Sequence, residues 1–388
     1  MSDAATASVL ALNAGSSSLK FGLFAVDADA CRRVLSGTAA FEGTWVVRDD
    51  GGQDIGGDSA PGNEAGGAVA AIKRVLESRG LPKPDAIGHR IVHGGRGHRD
   101  HVVIDESVIR QLQDAIVLAP LHAPASIELL QATGANFPHV PQVACLDTAF
   151  HRTMPDVART LPIPASLRDR GVERYGFHGL SCESIVRQLG APLPPRLVIA
   201  HLGHGASVTA VADGRSIDTS MGLTPSGGVM MSTRTGDIDP GLLLYAAREL
   251  DGDLSALETL LDRQSGLLGV SGSSDDMREL HSAAASSADA RLAIAMFCYS
   301  VRKQVGAMAA VLGGLDLLVF TGGIGENDPL VRADICAGLD ALGLASGDAP
   351  SRISVLPSQE DAQIARHAWD LVFATGDATR VACPSLSD

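Results

Sequence analysis

Lysine is scarce in this 388-residue chain. There are four (Lys20, Lys73, Lys83, Lys303) beside 27 arginines, and these 31 basic residues face 45 acidic ones, for a formal net charge of −14. Such an excess of negative charge excludes broad binding to nucleic acid or to an anionic membrane surface, since both need a basic face. It leaves room for small anions, which a local cluster of donors can hold. The six cysteines (Cys31, Cys145, Cys182, Cys298, Cys336, Cys383) are dispersed and form no CxxC pair. A zinc knuckle or a dithiol redox motif is therefore not expected, and reduced thiols in a cytoplasmic protein are the simple reading. The N-terminal stretch has no basic segment and too short an apolar run for a secretory leader. The most apolar helical stretch, 290–312, is interrupted by Arg302 and Lys303, so it is expected to be a core helix and not a membrane span. With 45% hydrophobic and 20% charged residues the chain is neither disordered nor fibrous. Its length suggests about two or three domains.

What is present is a succession of short apolar strands, small-residue turns and amphipathic helices, which places the chain in the α/β class. A strand over 9–12 leads into a turn over 13–18 and an alternating strand over 19–24. Residues 44–48 followed by Asp49-Asp50-Gly51-Gly52 read as another hairpin, and 56–67 as a loop. An amphipathic helix is predicted over 68–79, with Val69, Ile72 and Leu76 on one face and Gly80 as its stop. Strands are predicted over 86–92 and 142–146. A second half begins near residue 150. Its strand over 197–202, turn over 203–207 and strand over 208–211 repeat the N-terminal pattern, which suggests an internal duplication. Asp239-Pro240 opens a helix, and a strand over 315–320 runs into a glycine-rich turn over 321–327, with a helix from about Pro329.

Turns such as 13–18, 203–207 and 321–327 expose backbone N–H groups that can cradle phosphate oxygens. Singly, each is an ordinary tight turn; three in one chain, with Lys20 just beyond the first, point toward nucleotide phosphate. The known phosphate motifs do not fit: GxxxxGK[ST] is absent, and the run from Gly323 ends in Asp328 where GxGxxG needs glycine. GxSxG is absent as well, which removes a nucleophile elbow. His89 and His93 lie in GHRIVHGG without the glutamate of HExxH, so no zincin site is expected. Arg90 and Arg234 stand in glycine-containing polar contexts, where a guanidinium fork can hold a carboxylate or a phosphate. Asp147 ends a strand, and His178 lies in Tyr175-Gly176-Phe177-His178-Gly179.

In family order, the segments LNAGSSSLKF, GHRIVHGG, APLHAP, LDTAFHRTMP, RYGFHGLS, HLGHGASVTAV, DTSMGLTP, MSTRTGDIDPG, SGLLGVSG and FTGGIGEN, with LPSQEDAQIA near the C-terminus, resemble the acetate kinase family over essentially the whole chain. The resemblance implies two duplicated actin-like (ribonuclease H-like) domains, 1–147 plus about 361–388 and 148–360, the latter carrying the nucleotide loops, with an active-site cleft between them. It implies a cytoplasmic homodimer that transfers the γ-phosphoryl of ATP reversibly and in line to acetate, giving ADP and acetyl phosphate, with Mg2+ or in its place Mn2+.

By motif position the resemblance assigns Arg90, Asp147, His178 and Arg234 to catalysis, and Arg90, Val92, Leu121, Phe177 and Pro225 to the acetate pocket. It assigns Asn13, Ser16, Ser18, Lys20, His201, Gly203, His204, Gly205, Gly322, Gly323, Ile324, Gly325 and Asn327 to ATP, and Asn13 and Glu360 to the metal; His122 and Thr233 lie around the site. Acetate is already ionised at neutral pH, so charge neutralisation is the main task, and Asp147 is expected to have an orienting or metal-linked role instead of acting as a base. Valine at 92 suits acetate, and propionate is expected to react slowly, since one methylene discriminates by only about 1–3 kcal/mol. Two departures stand out: His204 where the family has Asn, and Ser358-Gln359-Glu360-Asp361 where it has Thr-Asn-Glu-Glu. The alternatives are a propionate or other short-chain acyl kinase and, from a different class, a non-catalytic actin-like ATPase module.

Overall fold

The computed structural model describes residues 6–15, 18–40, 45–56, 65–114, 123–344 and 352–374. The chain divides into two compact units, Met1–Ala149 with Gln359–Asp388, and Phe150–Ser358.

The first unit is built on a seven-stranded sheet. Its strands are β1 (Ala7–Ala14), β2 (Ser18–Val26), β3 (Cys31–Ala40), β4 (Trp45–Asp49), β5 (Ala86–Ile91), β6 (Val102–Val103) and β7 (Gln142–Leu146), in the order β4-β3-β2-β1-β5-β7-β6. β1 to β4 pair antiparallel, whereas β1, β5 and β7 run parallel. The parallel strands are almost wholly buried because helices cover both faces, which is why their sequences are apolar runs and not alternations. On one face Val69, Ile72 and Leu76 of helix Ala65–Ser78 join Leu10, Leu12, Phe21 and Ile87 in a single core. On the other face helix Glu360–Trp369 buries Ile364, Ala365 and Ala368 completely. Gly88 makes this approach feasible: a Cβ there would sit 2.5 Å from Ile364 Cγ2. The helix therefore lies flat on β1 and β5, with Glu360 and Asp361 in its first turn.

The second unit has a five-stranded sheet of β8 (Leu197–Leu202), β9 (Ala206–Ala212), β10 (Arg215–Thr219), β11 (Leu317–Thr321) and β12 (Ile353–Val355), ordered β10-β9-β8-β11-β12. β8, β9 and β10 pair antiparallel, and β8, β11 and β12 run parallel. This is the succession β3-β2-β1-β5-β7 of the first unit, so the duplicated strand-turn-strand unit is a duplicated sheet, to which the first unit adds β4 and β6. Cys182 and Ile185 of helix Gly179–Leu189 pack with Leu197, Ile199, Val211 and Val319. Helix Ala288–Val311, capped by Ser287, packs against β8 and β9 and buries Phe297, Val301 and Val305. Its Arg302 leaves the core by donating through Nε to the Ile335 carbonyl at 3.1 Å. Among the described residues no helix is long and apolar enough to cross a membrane.

Three sequence expectations change. Helix Ala65–Ser78 starts before residue 68, and Gly80, at φ +62°, turns the chain out of it. β4 pairs with β3, and the hairpin at the Gly51-Gly52 turn is short: Arg48 bridges Asp54, the Asp49 N–H donates to the Gln53 carbonyl at 3.1 Å and the Ile55 N–H to the Val47 carbonyl at 2.9 Å; Thr44 lies outside the described residues. The segment 321–327 is not a turn: Gly322–Asn327 is a short helix. Its helical form comes from Glu326, whose carboxylate accepts the Gly322 N–H at 2.9 Å and so reaches back to the helix start as a capping side chain does.

Candidate active site

In the first unit the parallel strands end together, and their last polar residues form one cluster. Asn13 is next to last in β1, Arg90 next to last in β5, and Asp147 follows β7. Arg90 donates to Asp147 Oδ2 through Nη2 at 2.5 Å and Nε at 3.1 Å, while Nη1 reaches Asn13 Oδ1 at 3.4 Å. Asp147 is fully buried. Its fixed charge on two of the guanidinium nitrogens sets the Arg90 fork and leaves Nη1, on its longer bond, as the arm an incoming anion can capture. Asn13 Nδ2 donates to Glu360 Oε2 and to Asp361 Oδ1, both at 3.0 Å. Burial would lower the Arg90 pKa, but Asp147, Glu360 and Asp361 outweigh it and hold the guanidinium firmly charged. Burial pushes the Asp361 carboxyl up, and Glu360 pushes the same way, against the Asn13 hydrogen bond and the charges of Lys20 and Arg90.

That donor set suits a divalent metal. Three carboxylates and an amide oxygen are the hard oxygen donors that Mg2+ takes, and a dication would offset both the burial and the neighbouring Glu360 charge that push the Asp361 carboxyl up. Lys20 is exposed on β2, opposite Asn13, and Ser18 closes the β1–β2 turn by accepting the Gly15 N–H at 2.8 Å. Val92 is buried just after β5. Ser16, Leu121 and His122 lie outside the described residues.

In the second unit the cluster forms around the β8–β9 turn. A methyl group built on Gly205 would stand 3.2 Å from His178 Nε2 and 3.5 Å from Arg234 Nη1. One built on Gly203 would stand 3.7 Å from His201 Nε2 and 3.8 Å from the Gly323 nitrogen. Two imidazoles, a guanidinium and the N-terminus of a short helix thus line one glycine turn, a cradle with donors and no side chain to fill it. The His178 and His201 rings stack, with centroids 4.2 Å apart and 22° between planes. His178 Nδ1 bonds Ser207 Oγ at 3.0 Å, and His201 Nδ1 bonds Ser181 Oγ at 2.8 Å.

His178 adopts a left-handed backbone, φ 58° and ψ 27°, which non-glycine residues rarely do and which clusters at functional sites. Its loop is braced by buried His151. Nε2 of that ring donates to the Phe177 carbonyl at 2.9 Å and Nδ1 accepts from Ser216 Oγ at 2.9 Å. Burial lowers the His151 pKa to about 4, so this brace is a neutral ring with its tautomer set by the carbonyl. Gly176 completes the loop at φ +74°, where a Cβ would meet the His151 ring at 2.7 Å.

Arg234 donates through Nη1 to the Pro225 carbonyl at 3.0 Å, and Thr233 Oγ1 to the Asp262 carbonyl at 2.7 Å. His204 is half exposed, with Nδ1 3.6 Å from Asp275 Oδ2. Partial burial and Arg234 lower its pKa, while Asp275 opposes them. Ile324 and Gly325 lie within the short helix, and Asn327 at its end donates to the Gly323 carbonyl at 2.9 Å.

The structure therefore gathers Asn13, Arg90, Asp147 and Glu360 in the first unit. In the second it gathers His178, His201, Gly203, Gly205, Arg234 and Gly323. Of the pocket residues, Val92 belongs to the first unit, Phe177 and Pro225 to the second. Sequence reasoning gave no role to Asp361, His151, Ser181, Ser207, Glu326 or Ser358. His151 carried a signal as the histidine of the segment that holds Asp147, and Ser358 and Asp361 as members of the departing run 358–361.

The sequence profile of the acetokinase family matches residues 8–366. An acetate kinase of Methylocella silvestris is 40% identical over 396 residues, covering 94% of this chain and 98% of that protein. Among solved structures, an acetate kinase of Porphyromonas gingivalis is similar at a TM-score of 0.82 and 33% identity, covering 94% of this chain and 99% of that one. A propionate kinase of Francisella tularensis is similar at 0.86 and 36%, covering 94% and 100%.

Proposed function

The chain belongs to the acetokinase family, and on that premise we propose that it phosphorylates acetate reversibly from ATP by direct in-line transfer. The enzyme is a kinase with a carboxyl group as acceptor. The observation that carries the finer reading is the convergence of His178 Nε2, Arg234 Nη1, His201 Nε2 and the Gly323 nitrogen on the Gly203–Gly205 turn. Such an array supplies positive potential to phosphoryl oxygens and needs no proton acceptor. An acetate oxygen is already anionic, so the array fits this acceptor better than it fits an alcohol.

In the first unit Arg90 binds the anion through Nη1, while Asp147 holds Nε and Nη2 and so acts as its orienting partner. Glu360 and Asp361, steadied by Asn13, would hold Mg2+, which when bound neutralises phosphate charge and draws the phosphoryl oxygens into place. In the second unit His178 is the donor to the transferring phosphoryl, with its ring fixed by Ser207 and by its stack on His201. Arg234, held by the Pro225 carbonyl, shares that charge.

Trapping acetyl phosphate as its hydroxamate, with ATP, Mg2+ and acetate present, tests the proposal. Hydroxamate should accumulate in proportion to ADP; none at any acetate concentration would overturn it. Propionate is the second acceptor, a reading supported by the likeness to a propionate kinase. Discrimination against it by no more than about 200-fold in kcat/KM is expected for one added methylene.

Self-association and a cytoplasmic setting belong to the same reading. Leu292, Met296 and Tyr299 are exposed along one face of helix Ala288–Val311, as are Leu244 and Tyr245 of helix Pro240–Glu249. A second copy would cover such apolar side chains, and sedimentation velocity should find a dimer.

A further inference from the structure

An imidazole offers a proton at Nε2 in only one of its two neutral tautomers, so the donor at the Gly203 turn depends on what holds the other nitrogen of His201. That nitrogen, Nδ1, is 2.8 Å from Ser181 Oγ. Ser181 is fully buried. Its oxygen accepts the Ser358 hydroxyl proton at 3.1 Å. Each hydroxyl has one proton. Once Ser358 has given its own to Ser181, the Ser181 proton remains for Nδ1, and His201 carries its proton on Nε2.

Ser358 is itself anchored. Its N–H donates to Glu326 Oε1 at 2.9 Å, and the same oxygen accepts the Gly322 N–H at 2.9 Å. An unbroken series of hydrogen bonds therefore joins the start of helix Gly322–Asn327, through Glu326, Ser358 and Ser181, to His201. Both ends of the series meet again at the turn, since the Gly323 nitrogen and His201 Nε2 both border Gly203.

We infer that Ser181 and Ser358, anchored by Glu326, are positioning residues that hold His201 as the Nε2–H tautomer and so aim a hydrogen-bond donor at the phosphoryl group in the Gly203–Gly205 turn. Neither serine touches that group; they act through His201. The identity of the ligand rests on the kinase reading above, whereas the tautomer does not. A donor fixed this way costs no reorientation when the nucleotide arrives, which is the advantage of a preorganised site. It also ties the helix that borders the turn to the ring that faces it, so loss of the helix anchor should be felt at His201.

The test is the long-range proton–nitrogen correlation spectrum of the histidine rings in the full-length, ligand-free protein at about pH 8, where an ordinary imidazole is neutral. His201→Gln assigns the signals. The wild-type ring should show a bare Nδ1 and a protonated Nε2. Ser181→Ala and Ser358→Val should each shift His201 toward a mixture of tautomers, while Ser358→Thr, which keeps the hydroxyl, should preserve the wild-type pattern. Ser181→Ala should also raise KM for ATP about 5- to 10-fold, the usual worth of one hydrogen bond, with KM for acetate unmoved. A wild-type ring protonated on Nδ1 would overturn the inference, as would a pattern unchanged in both Ser181→Ala and Ser358→Val. The two serine positions are independent, so one misfolded variant leaves the other to decide. The expected tautomer shifts together with absence of phosphoryl transfer to any carboxylic acid would uphold the positioning and sink the kinase reading.

Discussion

The ends of β1 and β8 hold corresponding places in the two sheets and carry different chemistry. Each has a polar residue at the strand end and a glycine two residues on, Asn13 with Gly15 and His201 with Gly203. In each that glycine N–H closes the turn, onto Ser18 at 2.8 Å and onto Gly205 at 3.0 Å. Around the first stand full charges: Arg90, Asp147, Glu360 and Asp361. Around the second stand imidazoles, hydroxyls and backbone N–H groups, with Arg234 as the cation. The duplicated sheet fixes where donors can stand, and the side chains decide what they are. In the first unit the charges also hold one another, so the proposed function and stability share the same residues. In the second, stability lies mostly in the surrounding packing.

Arg90→Ala gives this contrast its hardest test. It should lower kcat by at least about 10³-fold, as loss of a charge-neutralising arginine does in phosphoryl transfer. It should also destabilise the protein by about 3–5 kcal/mol, because the buried Asp147 carboxylate loses the guanidinium that neutralises it. Replacing both residues by leucine should recover most of the stability and none of the activity. If Arg90→Ala left unfolding unchanged, the first unit would be no more charge-dependent than the second.

His178 should behave in the opposite way. His178→Gly is expected to lower kcat by about 10²- to 10³-fold while costing little stability. The backbone at φ 58° is one that glycine takes freely, so His178→Gly should exceed His178→Ala in stability by about 1 kcal/mol. Steady-state kinetics and urea unfolding on the two variants decide it. Equal stabilities would mean that the left-handed turn at His178 carries no strain.

These residues also mark how far the sequence could be read. The parallel strands β5, β7 and β8 were legible because each is an apolar run of strand length. Arg90 and Asp147 were legible because polar residues at the ends of such runs stand out, and Asn13 through the family motif that holds it. Gly322–Asn327 was not, since three glycines in six residues argue against a helix and the side chain that holds it, Glu326, owes its place to Ser358, 32 residues away. Ser181, Ser207 and Ser216 gave no signal either. A serine in a strand or helix means nothing until a fold sets an imidazole against it. Glu360 was chosen from the motif, but the structure shows Asp361 sharing the Asn13 amide equally, which only the close approach of helix Glu360–Trp369 at Gly88 could reveal.

Acid should strain both units through buried rings. His89 and His93 in the first and His151 in the second are buried, with pKa values lowered by burial from 6.5 to about 4. Above about pH 6.5 these rings are neutral in both the folded and the unfolded chain. As pH falls from there toward 4 the unfolded chain binds protons that the folded one refuses, so stability is lost across this window, by about 3 kcal/mol per ring. Hydrogen exchange should show protection falling with acid in β1 and β5, where His89 and His93 are buried, and in β8 and β9 of the unit that holds His151. His89→Gln should flatten the first slope and His151→Gln the second. A slope unchanged in both variants would contradict the assignment.

The smallest effect expected is at His204, where the second unit carries an ionisable ring in place of the family's neutral amide. The ring is half exposed and its contact with Asp275 is 3.6 Å long, so solvent screens much of any charge it gains. Partial burial and Arg234 keep its pKa below 6.5, so the ring is neutral at neutral pH and becomes cationic only in acid. A cation beside the Gly203–Gly205 turn attracts phosphate. KM for ATP in the wild type, divided by that in His204→Asn at the same pH, should therefore fall by about two- to fivefold as pH drops from neutral through the lowered pKa. Taking the ratio removes the titration of the nucleotide itself, which both proteins share. A ratio flat with pH would show that His204 serves the turn only as a neutral donor, as the amide it replaces does, and would leave Arg234 as the cation on which the second unit depends.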